Sequence, residues 1–294
     1  MTAQTLRLLT ALGTLGALAV SPASAVLLTY EGFDYTASAN VTGQTGGSGW
    51  RNPASFSWTT VGTTGTVAAS GLSYTGANAA YTAFASAGLA GNYGANVRNN
   101  RLLAIDTGGV YDTAGLRGAG NFIGGSTVTS TLWGSFLVGS TNFASTHMIF
   151  NLSGGTGSSA SIRQGGAGGA IQITDGGSGT NFGTGSILTS ALSTTNPNLI
   201  VFRMVFNGAS DDTMSVWLNP TAATDTASIL ATIANLALNT VELRNVQAAN
   251  LVFDEIRFGT TFADVVPIPE PSAFAALAGL GVLGLAAVRR RRRS

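Results

Sequence analysis

Apolar and polar residues alternate with a period of two along several stretches of the chain, the spacing by which a strand sends successive side chains to opposite faces of a sheet. In "NLIVFRMVFNG", Ile200, Phe202, Met204 and Phe206 fall on one face, and Leu199, Val201, Arg203 and Val205 fall on the other. Both faces are largely apolar, which predicts a strand near the middle of a sheet that is covered on both sides. In "DTMSVWLNP", Met214, Val216 and Leu218 oppose Thr213, Ser215, Trp217 and Asn219. The stretches "THMIFNLSG", "ASIRQG", "AIQIT", "TVTSTLWGSFLVG" and "NLVFDEIRFG" add short strands bounded by Gly, Asn, Asp or Pro. The glycine-dense stretch from Gly154 to Gly185 contains two of these patterns and reads as hairpins with glycine turns. The expected fold is all-β, an antiparallel β-sandwich forming one domain over residues 26–266.

Composition supports this pattern. The chain has 40 glycines, 9% charged residues and 45% hydrophobic residues, which suits short strands and tight turns and opposes disorder. With no cysteine, disulfides, thiol catalysis and thiolate metal sites are excluded. With no lysine, P-loop and Schiff-base chemistry are excluded too. The formal net charge of +1 is misleading, because five arginines sit together at 289–293 and Arg7 lies in the leader. The body keeps eight arginines against twelve acids, and a net charge of about −4 does not draw it to nucleic acid or an anionic membrane.

The two ends carry addresses. Residues 1–25 combine a short positive start, an apolar run from Leu8 to Val20 and a small-residue site with Ala23 and Ala25 at the −3 and −1 positions. That is the pattern of a secretory signal peptide, which implies passage through the Sec export machinery. At the other end, Ala273 to Val288 holds sixteen residues without a charge. As a helix this run is about 24 Å long, short for a span unless the following arginines snorkel. Arg289, Arg290, Arg291, Arg292 and Arg293 would hold the C-terminus on the cytoplasmic side and leave the body outside. Pro269 and Pro271 keep Glu270 extended just before this single transmembrane helix.

Pro-Glu-Pro, a short apolar helix and a terminal arginine cluster together resemble the PEP-CTERM sorting signal over residues 267–294. Exosortases process that signal in Gram-negative bacteria with exopolysaccharide-rich envelopes. The resemblance implies a transient membrane anchor, with the body released into or attached to the cell envelope or extracellular matrix. In the body, "YEGFDY" with "GQTGGSGW", then "SVWLNP" and "FDEIRFGTTFADVVP", resemble the concanavalin A-like, LamG-like jelly rolls often joined to such tails. That resemblance implies two packed antiparallel sheets with the first strand close to the last. The fold hosts glycosidases, lectins and inert modules alike, so it names no activity.

The catalytic signatures of such enzymes are missing. No glutamate has an aspartate two residues on, the pattern of retaining glucanases on this fold, and adjacent Asp254 and Glu255 point to opposite faces of a strand. By alternation Asp254 goes with Val252, Ile256 and Phe258, and Glu255 goes with Leu251, Phe253 and Arg257. Asp254 is then expected to accept backbone hydrogen bonds at a core edge, and Glu255 to pair with an arginine such as Arg257 or Arg203. The alternative places Asp254 with Asp34 in a Ca²⁺ site, with no Asp-x-Asp cluster in support. Otherwise no cofactor is expected. His147, the only histidine, reads as a solvated or hydrogen-bonded strand residue. Trp50, Trp58 and Tyr93, in Gly- and Ser-rich segments, and Trp217, on the more polar face of its strand, are the candidates for stacking on sugar rings. The competing expectation is that the sandwich buries most of them. Two functional classes remain open. One is a non-catalytic structural or carbohydrate-binding module for exopolysaccharide, and the other is a degenerate or unrecognised polysaccharide hydrolase or lyase.

Overall fold

The computed structural model describes residues 27–51, 57–74, 84–85, 91–94, 96–154, 159–164, 169–176, 180–247 and 249–266. The signal peptide, Tyr81, and the Pro-Glu-Pro motif with its apolar run and arginines lie outside the described residues. Among the described residues no helix is long and apolar enough to cross a membrane.

The chain opens with β1 (Leu27–Glu31) and continues through the two-residue strands β2 (Thr59–Thr60), β3 (Thr66–Val67), β4 (Ser73–Tyr74) and β5 (Phe84–Ala85). Next come β6 (Gly91–Tyr93), β7 (Val97–Leu102), the single turn of helix α1 (Val110–Thr113) and β8 (Ile123–Gly124). Then follow β9 (Thr131–Gly139), β10 (Met148–Ser153), β11 (Ser159–Gln164), β12 (Ile171–Thr174) and β13 (Gly183–Gly185). The last strands are β14 (Asn198–Val205), β15 (Asp212–Leu218), β16 (Ile229–Ile233), β17 (Ala237–Leu238), β18 (Thr240–Asn245) and β19 (Leu251–Gly259), closed by α2 (Phe262–Val265).

These strands build an antiparallel jelly-roll sandwich. One sheet runs β13-β16-β15-β14-β9-β19-β6-β3, with β1 also on β19, and the other runs β12-β11-β10-β18-β7-β2. As expected, β14 lies in the middle of its sheet and the first long strand pairs with the last, with Tyr30 opposite Arg257 and Glu31 opposite Ile256. The two sheets meet through aromatic rings. Phe150 of the six-stranded sheet stacks on Phe136 of the other at 4.3 Å and also meets Phe202 at 5.7 Å.

Gly134 makes room at this junction. It sits opposite Phe202 on the inner face, and a methyl group there would come within 2.1 Å of the Phe202 ring. Gly134→Ala is therefore expected to cost about 1–3 kcal/mol by overpacking, read as a lower urea midpoint with unchanged slope.

The apolar outer face of β14 also has a cover. Leu199 and Val201 pack with Trp133, Leu137 and Trp217 beneath Phe262, Val265 and Val266 of the C-terminal turn. A capping box between Thr261 and Asp264 starts α2, and the Ser135 hydroxyl donates to the Val265 carbonyl at 2.7 Å. The body thus stays pinned up to Val266, which is fully buried.

Strict alternation fails in β19. Leu251 and Phe253 face the core before position 254, and Ile256 and Phe258 face it afterwards, so the odd and even sets share one face. A bulge between Asp254 and Arg257, with Glu255 at φ 50°, inserts the extra residue that shifts the phase. The expected grouping of Asp254 with Ile256 and Phe258 is corrected accordingly. The bulge also divides the free edge of β19, so that β6 pairs before it and β1 after it.

Candidate functional site

The "YEGFDY" and "GQTGGSGW" segments converge on a buried ion pair. Glu31 of β1 and Arg101 of β7 meet at 2.6 Å, each side chain 1% exposed, and join the two sheets. The Glu31 carboxylate also accepts from Trp58 Nε1 at 2.9 Å, the Tyr35 hydroxyl at 2.8 Å and the Phe33 amide at 2.8 Å. Burial pushes its proton affinity up, and these donors and Arg101 oppose the rise. Burial next to Glu31 raises the Tyr35 phenol as well. Arg101 lies 4.8 Å from the Trp50 ring centre and 5.9 Å from that of Trp58. Gly49 lets the loop close over β1, since a methyl group there would sit 1.9 Å from the Leu28 carbonyl oxygen and its φ is +74°.

This packing corrects the expectation of exposed rings. Trp58 is fully buried and Trp50 is 7% exposed, so neither offers a face to a sugar. Trp217, 5% exposed, stacks on Trp133 at 5.5 Å on the outer face of the larger sheet and donates to the Asp225 carbonyl. Arg203 sits 5.5 Å from the Trp133 ring and 5.6 Å from the Trp217 ring. Beside them a shallow cleft of about 540 Å³ opens between Trp133, α2 and residues 221–223. The backbone of Tyr93 pairs with Leu251 at the edge of the larger sheet, and its side chain lies outside the described residues.

Buried carboxylates serve the fold. Asp254 accepts from the amides of Leu72 and Glu255 at 2.7 and 2.8 Å. Glu255 accepts from the Tyr30 hydroxyl at 2.8 Å and pairs at 2.5 Å with Arg257, one of its two expected partners. Burial beside Glu255 raises the Tyr30 phenol. Asp212 accepts from the amides of Asn207 and Leu236 at 2.8 and 2.6 Å. Asp34 is exposed and Asp254 is fully buried, and among the described residues no group of three or more His, Asp or Glu side chains gathers to hold a metal ion.

The face of the six-stranded sheet turned away from the core has a different character. Register sets two rows of side chains across its strands. The first row runs Arg98, Arg244, Ile149, Arg163, Gln172, and the second runs Asn100, Glu242, Asn151, Ser161, Thr174. Arg98 pairs with Glu242 at 2.6 Å, and the Ser161 hydroxyl bonds Asn151 Oδ1 at 2.8 Å. Arg163 Nε donates to His147 Nε2 at 3.1 Å, so of its two expected settings the histidine takes the hydrogen-bonded one, but it stands just before β10 and not within a strand. Burial lowers its proton affinity, and Arg163 and Arg244 lower it further. Asn100 Oδ1, Thr174 Oγ1 and Arg98 Nε are buried on this face without a hydrogen-bond partner. A cleft of about 210 Å³ adjoins Asn100, lined also by Ser57, Thr59, Leu102 and Thr240. Sequence reading passes over these residues because register alone makes neighbours of them.

Comparison with known proteins bears first on the tail. Residues 267–292 match the PEP-CTERM protein-sorting motif. The molecule is thus an exported β-sandwich with a C-terminal anchor that is processed at the membrane, and the motif implies an exosortase as the processing partner. No curated protein matches the chain in sequence. Among solved structures, the body is similar to the globular domain of T. cruzi calreticulin, with 10% identity over 90% of this chain and 100% of that one and a TM-score of 0.46. It is also similar to the metal-free carbohydrate recognition domain of Emp46p, with 9% identity over 58% of this chain and 82% of that one and a TM-score of 0.36. An endo-β-1,4-glucuronan lyase from the fungus Trichoderma reesei aligns with 12% identity over 79% of this chain and 99% of that one, at a TM-score of 0.33.

Proposed function

We propose that the body is a non-catalytic carbohydrate-binding module which the sorting tail delivers to the cell envelope or extracellular matrix, where it associates with exopolysaccharide. The observation that carries this reading is the polar outer face of the six-stranded sheet, half-buried at Arg98, Asn100, Arg163, Gln172 and Arg244. Amide, hydroxyl and guanidinium groups stand there in rows set by strand register, and Asn100 Oδ1 and Thr174 Oγ1 are left without partners. Buried polar atoms in folded proteins are nearly always paired, so these two are places for the hydroxyls of a bound sugar or for the waters that such hydroxyls displace. Recognition would be by hydrogen bonding across a sheet, because the tryptophans are engaged in packing. Glu31, Glu242 and Glu255 are each held by an arginine, which supports a binding role over acid–base chemistry.

The test is a glycan array probed with the full chain in neutral detergent, followed by measurement of sugar release from every polymer retained. Retention without turnover is expected. Turnover at ordinary enzyme rates, abolished by Glu255→Gln or Glu242→Gln, would make the body a hydrolase or lyase instead.

A further inference from the structure

The body is acidic overall, yet one face concentrates positive charge. Arg98, Arg244 and Arg163 come from β7, β18 and β11, and register places Arg98 directly opposite Arg244, with Arg244 and Arg163 on either side of Ile149. Arg98 is neutralised by Glu242. Arg163 and Arg244 have no carboxylate within ion-pair distance among the described residues, and His147 between them stays neutral at neutral pH. Two uncompensated guanidiniums therefore stand two strands apart, about 10 Å, within roughly one Debye length at physiological salt. Like charges at that separation repel weakly, and no carboxylate among the described residues offsets the repulsion. Ile149, at 6% exposure, lies covered between them, and of the large apolar side chains that are exposed, Val61 adjoins β2 at one edge of this sheet, Leu188 follows Ile187 beside β12 at the other, and Val110 and Leu230 lie elsewhere.

Resting on the reading of this sheet as the glycan face, we infer that its ligand is an acidic polysaccharide, with anionic groups one disaccharide apart seated on Arg163 and Arg244. A guanidinium fork matches a carboxylate in two parallel hydrogen bonds, and a spacing of two strands is close to the length of a disaccharide. The neutral part of the chain would run on to Gln172 at one end of the first row and toward the cleft beside Asn100 at the other. A membrane surface is disfavoured because the exposed apolar residues Val61 and Leu188 stand singly at opposite edges of the sheet and form no patch between the arginines. Nucleic acid is the rival polyanion, and competition by single-stranded DNA separates it from the acidic polysaccharide.

The full chain in neutral detergent is tested by biolayer interferometry against polygalacturonate and against the same polymer with its carboxyls reduced to alcohols. The acidic polymer should bind at least about tenfold more tightly, and the difference should shrink as salt rises. Arg163→Gln and Arg244→Gln should each weaken acidic binding about three- to tenfold and weaken binding to the reduced polymer clearly less, so that the preference for the acidic polymer narrows, with urea midpoints near wild type. Arg117→Gln, near Asp112 and away from the sheet, serves as the control. Equal affinity for the two polymers, indifference to both substitutions, or equal competition by single-stranded DNA would overturn the acidic preference while leaving the glycan-binding reading intact. Failure to bind either polymer, with no retention on the array, would remove both.

Discussion

Arg101→Met is expected to destabilise the body by about 3–5 kcal/mol, measured by urea denaturation near pH 7.5. Arg101 is 2% exposed, and its guanidinium touches Glu31, the Gly46 carbonyl at 2.8 Å and two indole rings. Methionine would fill much of the volume but leave the Glu31 carboxylate buried with only neutral donors. Such a carboxyl takes up a proton more readily, so its folded-state proton affinity climbs further above the unfolded value. The sign follows from linkage. The folded variant then binds more protons than the unfolded chain, so the deficit relative to wild type shrinks as pH falls and is greatest at neutral pH and above. Glu31→Gln in the same chain removes the stranded charge, and the double variant should be more stable than the sum of the single changes predicts. Trp50 and Trp58 flank the guanidinium, which makes tryptophan fluorescence a local reporter of the loss. A cost below about 1 kcal/mol, or simple additivity, would mean that the ion pair contributes little to holding the sheets together.

The same clasp shows why periodicity reads some strands and misses others. β14 and β15 are legible because Ile200, Phe202, Met204, Met214 and Val216 keep the period-two set apolar, and all of them reach the core. In β7 the inward positions are Val97, Asn99 and Arg101, so the face that alternation reserves for apolar residues carries an amide and a charge. Asn99 is paid for locally, donating to Thr42 Oγ1 and the Thr59 carbonyl and accepting from the Gly65 amide. Such compensation depends on loops distant in sequence and leaves no periodic trace. The bulge at Glu255 hides the phase of β19 in the same way, because one extra residue turns a continuous inward face into an apparent change of side. The tryptophans mislead for a related reason. They sit among small and polar residues, yet glycines such as Gly49 fold those loops tightly back onto β1 and bury the rings. The arginine row is invisible for yet another reason: its members come from three strands far apart in the chain, and only pairing makes them neighbours. The tail, by contrast, is fully legible, because its chemistry lies in one continuous run.

That run carries the second large effect. Glu270→Ala is expected to abolish processing while leaving the protein exported and membrane-tethered. The body is fixed through Val266, with the Val265 carbonyl held by Ser135, so the chain from Pro267 to Glu270 spans at most about 14 Å even when fully extended. In sequence, Glu270 lies four residues beyond Val266 and three before the sixteen-residue apolar run, a spacing that suits a peptidase acting at the outer membrane face. Prolines at 269 and 271 disfavour helix, which is the reason cleavage is expected there. The arginines act at a different point. Replacing Arg289 to Arg293 with serine should weaken membrane retention and disturb processing, since each arginine near an anionic leaflet contributes about 1 kcal/mol and together they set which side the end faces. The two variants thus separate recognition from anchoring: one accumulates as a tethered full-length chain, and the other escapes or is misprocessed. Mass spectrometry of the protein released by its native host is the decisive measurement. A released form ending before the apolar run is expected, and one that still carries Phe274 to Ser294 would mean that the tail is a permanent anchor and not a signal for cleavage.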